Sequence, residues 1–151
     1  MGPVSEIDDP TLGRFKRTRL VNGNADEYKG TRAFDGHDVE VTLLSDDKRD
    51  VTATLERARL LYARLPAVMQ RVRTFAADKY VKHYNDVWRT DDDEAMTSER
   101  FLEEFVLAQL MIDPTGYVTL WFDDDRDFFE GHFVEVRLNP ASEVVSSDLL
   151  G

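Results

Sequence analysis

"FDGHDVEVTLL" fills residues 34–44, and "FEGHFVEVRLN" fills residues 129–139, ninety-five positions later. In the first copy Val39, Val41 and Leu43 share one side of an extended chain, while Asp38, Glu40 and Thr42 share the other. That period of two marks a half-buried strand. Asp35-Gly36 stands just ahead of it, and an Asp-Gly pair between extended segments predicts a type I′ hairpin turn, whose two central residues need positive φ. The second copy repeats the pattern with Val134, Val136 and Leu138 opposite Phe133, Glu135 and Arg137, behind Glu130-Gly131. Glu takes up the left-handed conformation less readily than Asp, so a bulge is expected at this second turn. Each copy reads as the return strand of a hairpin, with Phe34 or Phe129 as an aromatic anchor and Gly36 or Gly131 in the bend. Nothing else matches between the two halves, and common backbone constraints account for the shared wording better than gene duplication does.

The rest of the chain is organised around these two strands. Residues 1–13 carry two prolines, two glycines and several acids without periodicity, which predicts a flexible tail. Phe15 to Val21 alternates poorly and reads as an edge strand, and Asn22-Gly23-Asn24 as a turn. Between the copies the period lengthens. Val51, Leu55, Ala58, Leu61, Tyr62 and Leu65 fit one helix with Asp50 as its cap, and Pro66 is expected to close it and open a second. Val68, Val72, Phe75, Ala76, Tyr80, Tyr84, Val87 and Trp88 trace that second helix, and Thr97 caps a short third one through Phe101, Phe105 and their neighbours. Asp113-Pro114-Thr115-Gly116 is a type I turn sequence, pairing strands at 107–112 and 117–122, and a last strand is expected over Glu143 to Leu149. The predicted fold is α+β, a single domain over 14–151. It has a mainly antiparallel sheet, from an N-terminal hairpin and a C-terminal meander, packed against about three helices inserted between them.

Composition narrows the classes of function. The 151 residues are 42% hydrophobic and 32% charged, as in an ordinary globular domain, and the longest apolar stretch is far too short to span a bilayer. The opening "MGPVSEIDDP" is acidic and lacks the basic-then-apolar order of a secretory signal, which together with zero cysteines points to the cytoplasm. A net charge of -11 repels a phosphate backbone and argues against nucleic acid as partner. The charge is segregated: residues 51–90 hold eight Lys or Arg against three acids, whereas 101–151 hold two against eleven. A basic helical layer over an acidic sheet is the expected arrangement, and the acidic surface suits a basic protein partner.

No arrangement of residues announces a reaction. Asp123, Asp125 and Asp127 take the first, third and fifth places of a calcium loop, but Phe128 replaces the required Gly and Val134 the required Glu. Asp123, Asp124, Asp125 and Asp127 are therefore read as a solvated loop, and as the candidate partner-binding acids. His37 and His132 occupy matching places in the two copies, on the side of the buried valines. Two histidines so far apart in sequence have no metal-site spacing, and packing at a sheet edge with a hydrogen bond to a turn carbonyl or an acid is the expected role for each. His83, beside Tyr80, Tyr84 and Trp88, is read the same way. There is no nucleophile elbow and no phosphate loop, and neither a metal nor a cofactor is expected.

"HYNDVW" at 83–88, "MTSERFLEEFVLAQLMI" at 96–112 and "GYVTLWFDDDRDFFEGHFVEV" at 116–136 form an ordered series. It resembles a bacterial family catalogued as domain of unknown function 2262. The matching positions are Asn85 and Trp88, then Ser98 to Phe101 with the acid at Glu99 slightly shifted, then Phe129, Gly131 and His132. The likeness runs over about 28–151; the family's early strand commonly has Trp where this chain has Phe34. It implies an architecture and carries over no catalytic residue. It also implies kinship with small α+β immunity or accessory proteins encoded beside bacterial toxins. The leading expectation is thus a non-enzymatic binding module acting through its acidic surface. The alternatives are a metal-assisted hydrolase using His37, His132 and loop aspartates, and a structural homodimer.

Overall fold

The computed structural model describes residues 5–21, 25–124, 129 and 131–150. Four strands come first: β1 (Glu6–Asp9), β2 (Gly13–Val21), β3 (Ala25–Phe34) and β4 (His37–Leu44). Two helices follow, α1 (Thr52–His83) and α2 (Ser98–Glu104). Four further strands complete the chain: β5 (Phe105–Ile112), β6 (Val118–Asp124), β7 (Phe133–Leu138) and β8 (Val144–Leu150). They form one eight-stranded sheet in sequential order, antiparallel throughout except where β4 lies parallel to β5. That one crossover contains both helices, as a parallel connection requires. The α+β class and the mainly antiparallel sheet are as expected. The helix count is two among the described residues rather than about three.

The missing boundary is at Pro66, which lies inside α1 instead of ending it. An interior proline loses one backbone hydrogen bond and typically costs about 3 kcal/mol. Packing outweighs that loss. Leu61, Leu65, Val68, Met69, Val72, Ala76 and Tyr80 are buried in one unbroken stripe that passes the proline, whose own ring is exposed. The helix also joins the two edges of the sheet. Arg59 binds Asp9 at the end of β1, with Nε and a terminal nitrogen 2.9 and 2.8 Å from the same carboxylate oxygen. Twenty residues on, Lys79 donates to the Ser147 carbonyl of β8 at 2.7 Å, and the Tyr80 hydroxyl meets the Ser147 hydroxyl at 2.6 Å. Twenty helical residues span roughly 30 Å, close to the roughly 34 Å of seven strand spacings. A break at Pro66 would leave half the sheet uncovered.

Three other expectations change at the N-terminal side. The tail expected over 1–13 contains β1, which pairs with β2 from Glu6↔Lys16 to Asp9↔Gly13. In consequence β2 is an interior strand and not an edge. The turn expected at Asn22-Gly23-Asn24 lies outside the described residues. At the start of α1 the cap position is Val51, without a side-chain bond, but Asp50 Oδ1 accepts from the Thr52 amide at 2.9 Å and supplies the acceptor one residue early. Thr97 caps α2 as expected, accepting from the Arg100 amide at 3.2 Å. No helix of the described residues is long and apolar enough to cross a membrane.

The two motif copies now have a structural relation. Asp35 and Gly36 both have positive φ, 52° and 82°, and join β3 to β4 in the expected two-residue turn. Because β4 is parallel to β5, and β6 is antiparallel to both β5 and β7, strands β4 and β7 run the same way. They also sit at the same level, since Glu40 pairs with Gln109, Gln109 with Trp121, and Trp121 with Glu135. Val41, Leu110, Leu120 and Val136 form the adjoining buried row. Identical wording thus serves two strands that enter the sheet at the same end and offer the same apolar side to the core.

Candidate functional site

Alternation along each strand assigns every residue to the helix side or to the side that neither helix covers. On β4 to β8 the helix side holds Val41, Leu43, Leu110, Ile112, Leu120, Phe122, Val136 and Leu138, all buried. The opposite side reads Asp38, Glu40 and Thr42 on β4, Gln109 and Met111 on β5, Thr119, Trp121 and Asp123 on β6, Phe133, Glu135 and Arg137 on β7, and Asp148 on β8. This open side carries five acids and one base along those strands. Its centre is apolar, with Trp121, Phe133 and Met111 half-buried.

A β-bulge shapes the middle of that surface. The β5–β6 register shifts between Leu107 and Gln109, giving β5 an extra residue and turning its side chains about that point. Ala108, Gln109, Trp121, Asp123 and Phe133 line a shallow hollow of about 350 Å³ there. The Trp121 indole N–H donates to Glu135 Oε1 at 3.1 Å, which restrains the ring at the hollow. Of the acids around it, Glu40 pairs with Lys29 at 3.1 Å. Asp38, Asp123 and Asp148 have no ion-pair partner among the described residues. Arg137 lies over the Tyr117 ring, 5.8 Å from its centroid. An aromatic surface with unpaired carboxylates at its rim offers stacking and charge to a cationic group.

Of the acids singled out from sequence, Asp123 is exposed and belongs to this hollow. Asp124 ends β6, its side chain outside the described residues, as are Asp125 and Asp127. From sequence alone Trp121 is assigned to core or sheet-face packing rather than to a ligand platform, and Phe133 carries no binding role. Their signal was present, since Val118, Leu120 and Phe122 alternate with Thr119, Trp121 and Asp123, which places the tryptophan among polar residues.

The motif aromatics and histidines lie on the other side of the sheet or at its end. Phe129 is buried among Tyr80, Tyr84 and Trp88, with ring centroids 6.0, 6.1 and 5.8 Å away in edge-on geometry, and stacks against His83 at 6.5 Å. A π-helical turn, Tyr84–Trp88, closes this cage and is defined by the Arg89 amide donating to the Tyr84 carbonyl at 2.8 Å. The Trp88 N–H donates to His83 Nε2 at 3.0 Å, which requires the neutral imidazole with its proton on Nδ1. His132 places Nδ1 2.8 Å from the Phe129 carbonyl, with its ring edge-on to Trp88 at 5.3 Å. Gly131, at φ 87°, bends the chain between them.

His37 is exposed, although it has the parity of the buried valines; as the first residue of its strand it stands at the rim of a cavity that it lines with Phe34, Met69 and Arg73. His37 and His132 are not brought together. Strands β5 and β6 separate their strands, and three strand spacings amount to roughly 14 Å. No group of three or more His, Cys, Asp or Glu among the described residues is arranged to hold a metal ion.

Comparison with known proteins gives one match. No curated protein and no solved structure is significantly similar to the chain. The sequence profile described as an uncharacterised protein conserved in bacteria, domain of unknown function 2262, matches residues 9–149. That span takes in β2 to β7 whole, both helices and nearly all of β8, so the chain belongs to this bacterial family.

Proposed function

We propose that this protein is a non-enzymatic protein-binding module, of the immunity or accessory kind, which takes a basic segment of a protein partner on its open sheet surface. The observation that carries this is Trp121, a large aromatic at the centre of a side that neither helix covers, with Asp38, Asp123 and Asp148 around it and without an ion-pair partner among the described residues. Binding energy concentrates in such central aromatics, while rim charges steer the encounter and set its salt dependence. The basic outer surface of α1, with Arg57, Arg64 and Arg71, stands on the other side of the molecule and sharpens the polarity.

The test uses the full chain with a photo-crosslinking residue at Gln109 on the open side, and a control at Arg64 on α1, in native host cells. The expected result is an adduct from position 109 alone, with a protein carrying a basic segment. Trp121→Ala should weaken that complex by about 2 kcal/mol, a typical hot-spot loss. Asp123→Lys should weaken it further at low salt than at high. Equal adducts from both positions, or an adduct indifferent to salt and to Asp123→Lys, would refute the proposal.

A homodimer has β8 as its own supporting observation, an edge strand with Val145 exposed. Lys79 already occupies the Ser147 carbonyl of that strand, which shortens the edge open to a second copy. A metal-assisted hydrolase built on His37, His132 and loop aspartates needs groups to converge, and the strand order holds the two imidazoles apart.

A further inference from the structure

The cleft at the β3–β4 hairpin is a different place from the open sheet surface, on the helix side of the sheet. Phe34 corresponds to Phe129 in the motif, yet it is only half-buried and has no ring contact of the kind that holds Phe129 among the described residues. It stands instead at the junction of three cavities. The innermost, about 200 Å³, is backed by the core residues Val39, Leu65, Leu107 and Leu110, with Pro66 beside them and the exposed Arg32 guanidinium over the Tyr62 ring at its mouth. The outer two, about 80 and 520 Å³, share Phe34, Asp35, Met69, Arg73 and Leu102. Leu107 lines both the first and the inner cavity, and Pro66 both the second and the inner one.

Arg73 is the cation that lines both outer cavities, as Arg32 lines the inner one. Its terminal nitrogens donate to the carbonyls of Phe105 and Leu102, at 2.6 and 2.5 Å. These bonds fix the guanidinium, and no carboxylate lies within ion-pair distance of it among the described residues. Two carbonyls use two of its five N–H groups. At the inner end the Tyr62 phenol is pushed up to about 12 by burial, so it stays a neutral donor. Pro66 supplies no N–H to the Tyr62 carbonyl, which leaves an acceptor in the same wall.

We propose that this cleft binds a small monocarboxylate, its carboxylate on Arg73 and its apolar body, about the size of a benzene ring, in the cavity beneath Phe34. A dry apolar cavity of about 150 Å³ accepts benzene, so the inner volume is sufficient. Asp35 and Glu103, exposed at the rim, disfavour a second negative charge on the ligand. Arg73 acts as the anion-binding residue and Phe34 as the closing wall.

The experiment titrates the full chain with phenylacetate, and in parallel with phenylacetamide, its neutral counterpart, followed by calorimetry and amide chemical shifts. Phenylacetate should saturate with a Kd of about 1 mM or tighter and shift the amides of Phe34, Met69 and Arg73, with the amide about tenfold weaker. Arg73→Met should bring the two ligands level, and Arg73→Lys should restore part of the difference. Leu65→Phe, which fills the inner cavity, should abolish binding of both while keeping a cooperative melt, so that it decides the matter even if Arg73→Met fails to fold. Equal affinity for acid and amide in the native protein, shifts centred on Trp121, no saturation, or binding that survives Leu65→Phe would each overturn the proposal.

Discussion

Asp9→Ala is the sharpest test of how the first strand is held. The Asp9 side chain is 2% exposed, and its Oδ1 accepts from the amides of Thr11 and Leu12 at 3.0 and 3.1 Å while Oδ2 accepts from Arg59. Truncating one partner of a buried ion pair costs about 3–5 kcal/mol. Here the Arg59 side chain is 45% exposed and regains water, so the loss should be nearer 2–3 kcal/mol. For a chain of this length that lowers Tm by roughly 5–10 °C. The Arg59 hydrogen bond, helped by those from Leu12 and Thr11 and opposed by burial, holds the Asp9 carboxyl below its ordinary value of 3.8. A carboxyl lowered in the folded state stabilises the protein fully above the unfolded value, and the benefit fades as pH falls through the folded value. The stability gap between native protein and Asp9→Asn should therefore be constant from neutral pH to about pH 5 and shrink below 3.8. Calorimetric melts across that range, with Arg59→Met completing a double-mutant cycle, measure both quantities. A Tm within 1 °C of native for Asp9→Ala, or a gap unchanged in strong acid, would refute the reasoning.

Gly30→Ala should cost about 3 kcal/mol, because a Cβ there would stand 2.5 Å from the Arg14 carbonyl oxygen and 2.9 Å from the Phe15 ring. Hydrogen exchange should show lost protection in β2 first, and an unchanged denaturation midpoint would be contrary. Phe129→Ala should cost about 3–5 kcal/mol by emptying the Tyr80, Tyr84 and Trp88 cage, whereas Phe34→Ala, at a half-buried position, should cost under about 1.5 kcal/mol. Equal losses in urea denaturation would mean that the two motif aromatics are equivalent after all. Asp26 is fully buried, with neither carboxylate oxygen hydrogen-bonded among the described residues, so Asp26→Asn should hold or raise stability by about 1 kcal/mol. A drop of that size in a thermal melt would show that the charge has a partner.

Several features were legible because their causes are local. The period of two in 37–44, 118–122 and 133–138, the Asp35-Gly36 turn and the Thr97 cap each depend on residues within a few positions of one another. The N-terminal segment carries a fainter signal of the same local kind. Asp9-Pro10-Thr11 repeats the Asp113-Pro114-Thr115 turn, and in both the aspartate accepts from the amide two residues on, at 3.0 and 2.9 Å. The second of these was read as a strand connection, and the first, in a segment with no apolar alternation, was not.

Local rules failed wherever a distant partner outweighed them. At Pro66 the backbone preference to stop lost to a buried stripe that only the assembled sheet rewards. Which acids and aromatics gather around Trp121 depends on the order β4-β5-β6-β7, and on a bulge in β5, neither of which leaves a mark in a single segment. His37 and His132 show the same limit, being alike in sequence and alike in strand direction, while their surroundings are set by residues from elsewhere in the chain. Thus the chain's own pattern of apolar and polar residues determined its elements and which side of each strand faces inward, since alternation and turn chemistry act over a few residues. Tertiary structure alone decided that one helix ties the sheet from edge to edge, leaving one motif aromatic caged and the other over an open cleft, because burial energy depends on neighbours brought from far along the chain.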